Sequence, residues 1–271
     1  MTTETGKSGH VPVNGLEMYY EIHGAGGTPL VLLHGAFSAI GTSFDSILPG
    51  LATTRTVVGL EFQGHGRTAD IDRPLSVPAM ADDVATAIVA LGFEQVDVLG
   101  YSLGSAIAIN LVNTHPELVR RLVLISASYR LDGIQPGLMD GLGEMKPEMM
   151  HGSMWHEEYM RIAPRPDDFS RLFAKKTAMD RQLEDLPPES ISGIGSPTLL
   201  IAGDADLVQP EHAVEMFRLL GGGGFGDTPA GHVPSELAII PGASHVTVVF
   251  QGDVLVKIIS RFLDKDVGKA I

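Results

Sequence analysis

The chain has 271 residues, 44% of them apolar, enough to bury a large core and too many for a disordered polymer. Its formal net charge of −14 argues against nucleic acid or an anionic membrane surface as an electrostatic partner. With no cysteine, it can form no disulfide, thiolate nucleophile or cysteine-held metal site. The polar opening, residues 1–9, lacks the apolar centre of a signal peptide, and no run reaches the length of a membrane span, so a cytoplasmic protein is expected.

Residues 16–22 alternate in part and predict an exposed strand, followed by a glycine turn at 24–27. Residues 29–33 are continuously apolar, as in a strand buried on both faces of a parallel sheet. The same pattern returns at 56–60, 96–99, 122–125, 198–202 and 237–240. Helical spacing of apolar residues marks 77–91, 211–220 and 254–263, with Asp82 and Asp83 predicted on a face of the first helix away from its apolar stripe. Strands alternating with helices predict an α/β fold with a mainly parallel, doubly wound sheet. Between residues 129 and 195 the rhythm stops. No buried strand is evident there, and the segment holds Trp155 together with Met139, Met145, Met149, Met150, Met154, Met160 and Met179. The division that follows is a core domain of residues 1–128 and 196–271, with a helical cap of 129–195 inserted into it. The glycine-rich stretch 221–231 lacks the Gly-Lys-Ser/Thr of a phosphate loop. It precedes a strand, which places it at the sheet edge opposite the ligand side. A surface excursion is expected there, with an oligomer contact as the second reading.

The chemistry is concentrated in Gly100-Tyr101-Ser102-Leu103-Gly104, a G-x-S-x-G sequence between an apolar strand and a small-residue helix start. That context sets a serine on a sharp turn with its hydroxyl exposed. A serine hydroxyl is a weak nucleophile at neutral pH and needs a base, which in turn needs an acid to orient it. His245 follows the last predicted strand in a glycine-containing turn, and Asp204 and Asp206 both follow the strand before it. The backbone N–H of Leu103, next after the serine, is expected to donate to a developing oxyanion.

With these motifs go His34-Gly35-Ala36-Phe37 after the first buried strand and Glu61-Phe62-Gln63-Gly64-His65-Gly66-Arg67-Thr68 after the second. Together they resemble the α/β-hydrolase superfamily along nearly the whole chain. The resemblance implies an α/β-hydrolase fold with an inserted cap. It favours Asp206, four residues before Pro210, as the acid, and leaves Asp204 to bond turn backbone. It implies Ala36 as the second oxyanion donor and structural roles for His34 and His65. Glu61 and Thr68 depart from the family's usual Asp and Ser in a structural turn. The serine separates the chain from members that use aspartate in the elbow, such as haloalkane dehalogenases and most epoxide hydrolases.

Its opening strand and the 203–206 loop are similar to those of capped bacterial carboxylesterases, some relatives of which are N-acyl-homoserine lactonases. The expected activity is hydrolysis of a small-molecule ester or lactone through Ser102, His245 and Asp206, with no cofactor, metal, nucleic acid or membrane partner, and with homodimerisation left open. Substrate contacts are expected from Phe37, Tyr101, Met154, Trp155 and Tyr159. The alternatives are a carbon–carbon bond hydrolase or cofactor-free perhydrolase with the same triad, and a non-turnover ligand receptor.

Overall fold

The structure is a computed structural model, and it describes residues 6–138, 141, 145–227 and 231–265. Its eight strands are β1 (Lys7–Val13), β2 (Leu16–His23), β3 (Leu30–Leu33), β4 (Val57–Leu60), β5 (Val96–Tyr101), β6 (Val119–Ile125), β7 (Thr198–Ala205) and β8 (Glu236–Ser244). They form one sheet in the order β1-β2-β4-β3-β5-β6-β7-β8. β1 and β2 are an antiparallel hairpin closed by Asn14-Gly15, both with positive φ, the combination a two-residue hairpin turn of the favoured hand requires. β2 also runs antiparallel to β4, and every pairing from β4 through β8 is parallel.

The apolar runs follow from helices on both faces. On β3, Val31 and Leu33 point to a cluster shared with α3 (Val77–Ala90) and α4 (Leu103–Thr114), whereas Leu30 and Leu32 point to one shared with α1 (Ile40–Phe44), α2 (Leu48–Leu51) and α9 (Gly252–Leu263). Successive side chains of a strand face opposite sides, so a sheet covered twice reads as unbroken hydrophobicity. α8 (Pro210–Leu219) carries Met216 into the first cluster.

Between β6 and β7 lie α5 (Met154–Ile162), α6 (Phe169–Asp180), α7 (Glu189–Ser192) and several short 3-10 turns. α6 buries Phe169, Leu172, Phe173 and Met179 in the same cluster as α3 and α4. Met139 lies outside the described residues, as do positions 228–230 of the glycine-rich stretch. The described part of that stretch lies between α8 and β8.

Three expectations are corrected. β2 is not exposed: β1, unforeseen because its sequence is polar, covers one edge and β4 the other, and Leu16, Met18 and Tyr20 are buried. β8 runs on through Pro241 and Gly242 to Ser244, with a register irregularity opposite 203–205. Asp83 is not a solvated face residue. It is fully buried, takes a bidentate ion pair from Arg73 and accepts from the Asn14 amide at 3.0 Å.

Candidate active site

β5 ends at the centre of the sheet, and Ser102 makes the corner into α4 with φ 54° and ψ −116°, a left-handed conformation that costs energy in any residue with a Cβ. The corner is this tight because β5 and α4 press together. A Cβ on Gly100 would overlap the carbonyl of Gly104, and one on Gly104 would overlap the carbonyl of Leu33. Around the corner the Ser102 N–H donates to the Ile125 carbonyl at 3.0 Å, and the Ser105 hydroxyl donates to Gly100 at 2.7 Å and to Ile125 at 2.9 Å. These bonds hold the strained residue in place.

β7 and β8 bring two further groups to the same edge. His245, immediately after β8, has Nε2 3.0 Å from the Ser102 Oγ and Nδ1 2.9 Å from Asp206 Oδ1. A carboxylate only accepts, so Nδ1 carries the proton and Nε2 is left to accept from the serine hydroxyl. Asp206 is buried and also accepts from the Ser126 hydroxyl and from the amides of Gly203 (3.1 Å) and Val208 (3.3 Å). Burial alone would raise its pKa. Burial is the largest single influence, but the bond and charge of His245, the Ser126 hydroxyl and the Gly203 amide together outweigh it and keep the carboxyl below its ordinary range. Asp204 instead accepts from the Gly242 amide at 2.8 Å, tying the 203–206 loop to β8.

Ser126 was not anticipated. It follows β6 directly, has φ 55° and spans from the β6 edge to Asp206. A hydroxyl one residue beyond an apolar strand at the ligand edge is the only trace it leaves in the sequence.

The remaining predicted groups fall into two sets. Ala36, in the loop after β3, and Leu103, at the first turn of α4, both line a cavity of about 420 Å³ that also touches Ser102 and His245. Neither backbone amide has a hydrogen-bond partner among the described residues. The loop bearing Ala36 is anchored by His34, whose Nδ1 donates to the Gly35 carbonyl at 2.7 Å while Nε2 accepts from the Phe62 amide at 3.2 Å. That pairing needs a neutral ring, and full burial brings the His34 pKa down to about 3. His65 is likewise fully buried, its pKa lowered to about 4. Glu61 accepts from the Arg67 backbone and guanidinium, but burial outweighs both and raises its pKa to about 7.

Phe37, Tyr101, Met154, Trp155 and Tyr159, expected on the substrate, are not among the residues lining this cavity. Tyr101 is buried below the elbow, and its hydroxyl donates to the His245 carbonyl at 2.8 Å. Phe37 stacks on Phe173 with centroids 5.4 Å apart, and Tyr159 packs edge-on against Phe169. Trp155 packs on the apolar core, and Met154 is exposed on α5. The wall on that side comes from α6 and the residues after it: Lys176, Met179, Asp180, Leu183 and Leu186.

A family model described as the alpha/beta hydrolase fold matches residues 28–190. The chain belongs to that family. A protein of Agrobacterium fabrum named for carbamate hydrolysis, RutD, is 26% identical to this alpha/beta hydrolase over 213 residues, 71% of this chain and 82% of that one. The pimeloyl-[acyl-carrier protein] methyl ester esterase of Neisseria meningitidis is 38% identical over 100 residues, 37% of this chain and 36% of that one. Among solved structures, the meta-cleavage product hydrolase CumD of Pseudomonas fluorescens IP01 superposes with a TM-score of 0.73 over 96% of this chain and 98% of its own, at 19% identity, a likeness of fold.

Proposed function

We propose that this alpha/beta hydrolase cleaves carboxylic esters, lactones among them, through an acyl-enzyme on Ser102. The observation that carries the reading is the unbroken hydrogen-bonded chain from Ser102 through His245 to Asp206, at the edge of a mainly apolar cavity. Ser102 Oγ attacks the ester carbonyl as His245 Nε2 takes its proton. The carbonyl oxygen becomes an oxyanion facing the unpartnered amides of Ala36 and Leu103. Asp206, kept ionised by its four donors, stabilises the imidazolium and fixes its orientation. His245 then protonates the departing alcohol, and the bond from carbonyl carbon to leaving oxygen breaks. A water deprotonated by the same nitrogen attacks the acyl-serine, releases the acid and restores the hydroxyl. Residues 129–195 act as a cap, with α6 and its C-terminal extension closing the cavity over the serine. The methyl ester named for the Neisseria relative is the same class of bond.

Purified protein should hydrolyse p-nitrophenyl acetate and butyrate, and Ser102→Ala should lose about a thousandfold or more of that rate while melting at the wild-type temperature. Full activity in a folded Ser102→Ala protein would overturn the proposal.

A further inference from the structure

The cavity beside Ser102 follows one stripe of α4, where Leu103, Ala106 and Asn110 stand on successive turns and all line it. Several other polar side chains on the wall are already engaged. Ser76 accepts from the Ala79 amide, Ser126 donates to Asp206, Ser128 donates to the Arg130 carbonyl, and Lys176 is paired with Asp180. Asn110 differs: its side-chain oxygen is shielded from solvent and has no hydrogen-bond partner among the described residues. A shielded carbonyl oxygen without a partner has given up its bonds to water and regained nothing. Proteins seldom tolerate this, and a ligand in the cavity would supply the missing bond.

Position decides what that ligand looks like. Asn110 lies eight positions beyond Ser102, roughly 12 Å along the helix axis. The Leu103 amide ties the scissile carbonyl to the head of the same helix, so a chain lying along the stripe reaches Asn110 at its far end. Resting on the reading of Ser102 as the acyl acceptor, we infer that Asn110 is a specificity-determining residue. It hydrogen-bonds a neutral hydroxyl or amide carried on the acyl arm roughly 12 Å from the scissile carbonyl. Medium-chain esters with a distal polar group are therefore preferred over plain fatty esters. The vacant atom is an acceptor, and both a hydroxyl and an amide N–H can donate to it. A distal carboxylate does not fit, because it carries no hydrogen to donate to the Asn110 oxygen, and Lys176 on the same wall is already paired with Asp180.

The test separates binding from turnover. Calorimetric titration of Ser102→Ala protein with methyl octanoate and its ω-hydroxy counterpart should show the hydroxy ester binding about tenfold more tightly, the size of one net hydrogen bond. Adding Asn110→Leu should reduce that preference to twofold or less while the plain ester binds at least as well. Asn110→Ala should give the same ratio if the leucine variant fails to fold. An unchanged preference in the Asn110 variants, no preference in the parent, or no binding of either ester to folded protein would overturn the inference. Wild-type hydrolysis of p-nitrophenyl acetate reports on Ser102 alone, so failure of the esterase reading and failure of the Asn110 assignment are distinguishable.

Discussion

At the scale of single residues, the site depends on a few groups held in costly states. Ser102 is held at a positive φ by β5, α4 and the bonds around the elbow, and Asp206 is buried yet kept ionised by four donors. Replacing Asp206 by Asn leaves the shape intact but offers Nδ1 a group that no longer fixes the tautomer. Asp206→Asn should therefore lower kcat by about three to four orders of magnitude with little change in KM, measured on p-nitrophenyl butyrate. In the proposed mechanism Ser126 is a positioning residue that acts through its bond to Asp206. Ser126→Ala removes one donor from the carboxylate and lets its pKa rise, because a hydrogen bond to the charged form had favoured that form. The expected result is a kcat lowered by roughly tenfold, the worth of one charge-assisted bond, with KM unchanged and the acid limb of the pH profile moved toward higher pH. An unmoved acid limb would assign Ser126 a purely structural role.

At the scale of elements, the sheet was legible wherever two layers of helix cover it. Each of β3 to β7 carries an apolar run because both of its faces are buried there, and the sequence pattern alone reveals that. β1 is half-exposed and polar, and only its pairing with β2 makes it a strand. β8 extends past Pro241 because it lies at the sheet edge, where an imino nitrogen leaves no ladder bond unmade. The elbow, His245 and the two aspartates were legible because the α/β-hydrolase resemblance implies the chain order serine, acid, histidine, and each group follows a strand that the apolar pattern reveals. The cavity wall was not. Which face of α5 or α6 meets the cavity depends on how those helices seat against Phe37 and the core, and a tally of methionines and aromatics carries no such information.

Asp83 shows the same limit. Its partners are Arg73, on the loop before its helix, and Asn14, on a hairpin turn far away in sequence. Because Asp83 is wholly buried, Arg73→Leu leaves a carboxylate short of its counter-charge. Urea denaturation should show a loss of about 3 kcal/mol or more, far beyond what an exposed ion pair contributes. A loss below about 1 kcal/mol would mean that the Asn14 amide alone suffices.

For the whole molecule, stability and activity draw on the same packing. His65 is neutral in its buried setting, with a pKa of about 4 against 6.5 in the unfolded chain. Between those values the unfolded state binds more protons, so this histidine's contribution is full above pH 6.5 and is lost as pH falls toward 4. The stability advantage of wild type over His65→Gln should therefore shrink over that interval, since all other groups are common to both proteins. A gap that stays constant with pH would show that the ring protonates as freely folded as unfolded. The parallel strands carry Ser102, Asp206 and His245 to one edge from three distant parts of the chain, and the proposed activity rests on that convergence making the serine nucleophilic. The most direct measurement is mass spectrometry of the protein after brief exposure to a fluorophosphonate. A single adduct on the peptide containing Ser102, absent in Ser102→Ala and strongly slowed in a folded His245→Ala variant, is the predicted result. No adduct, or an adduct whose rate is indifferent to His245, would contradict it.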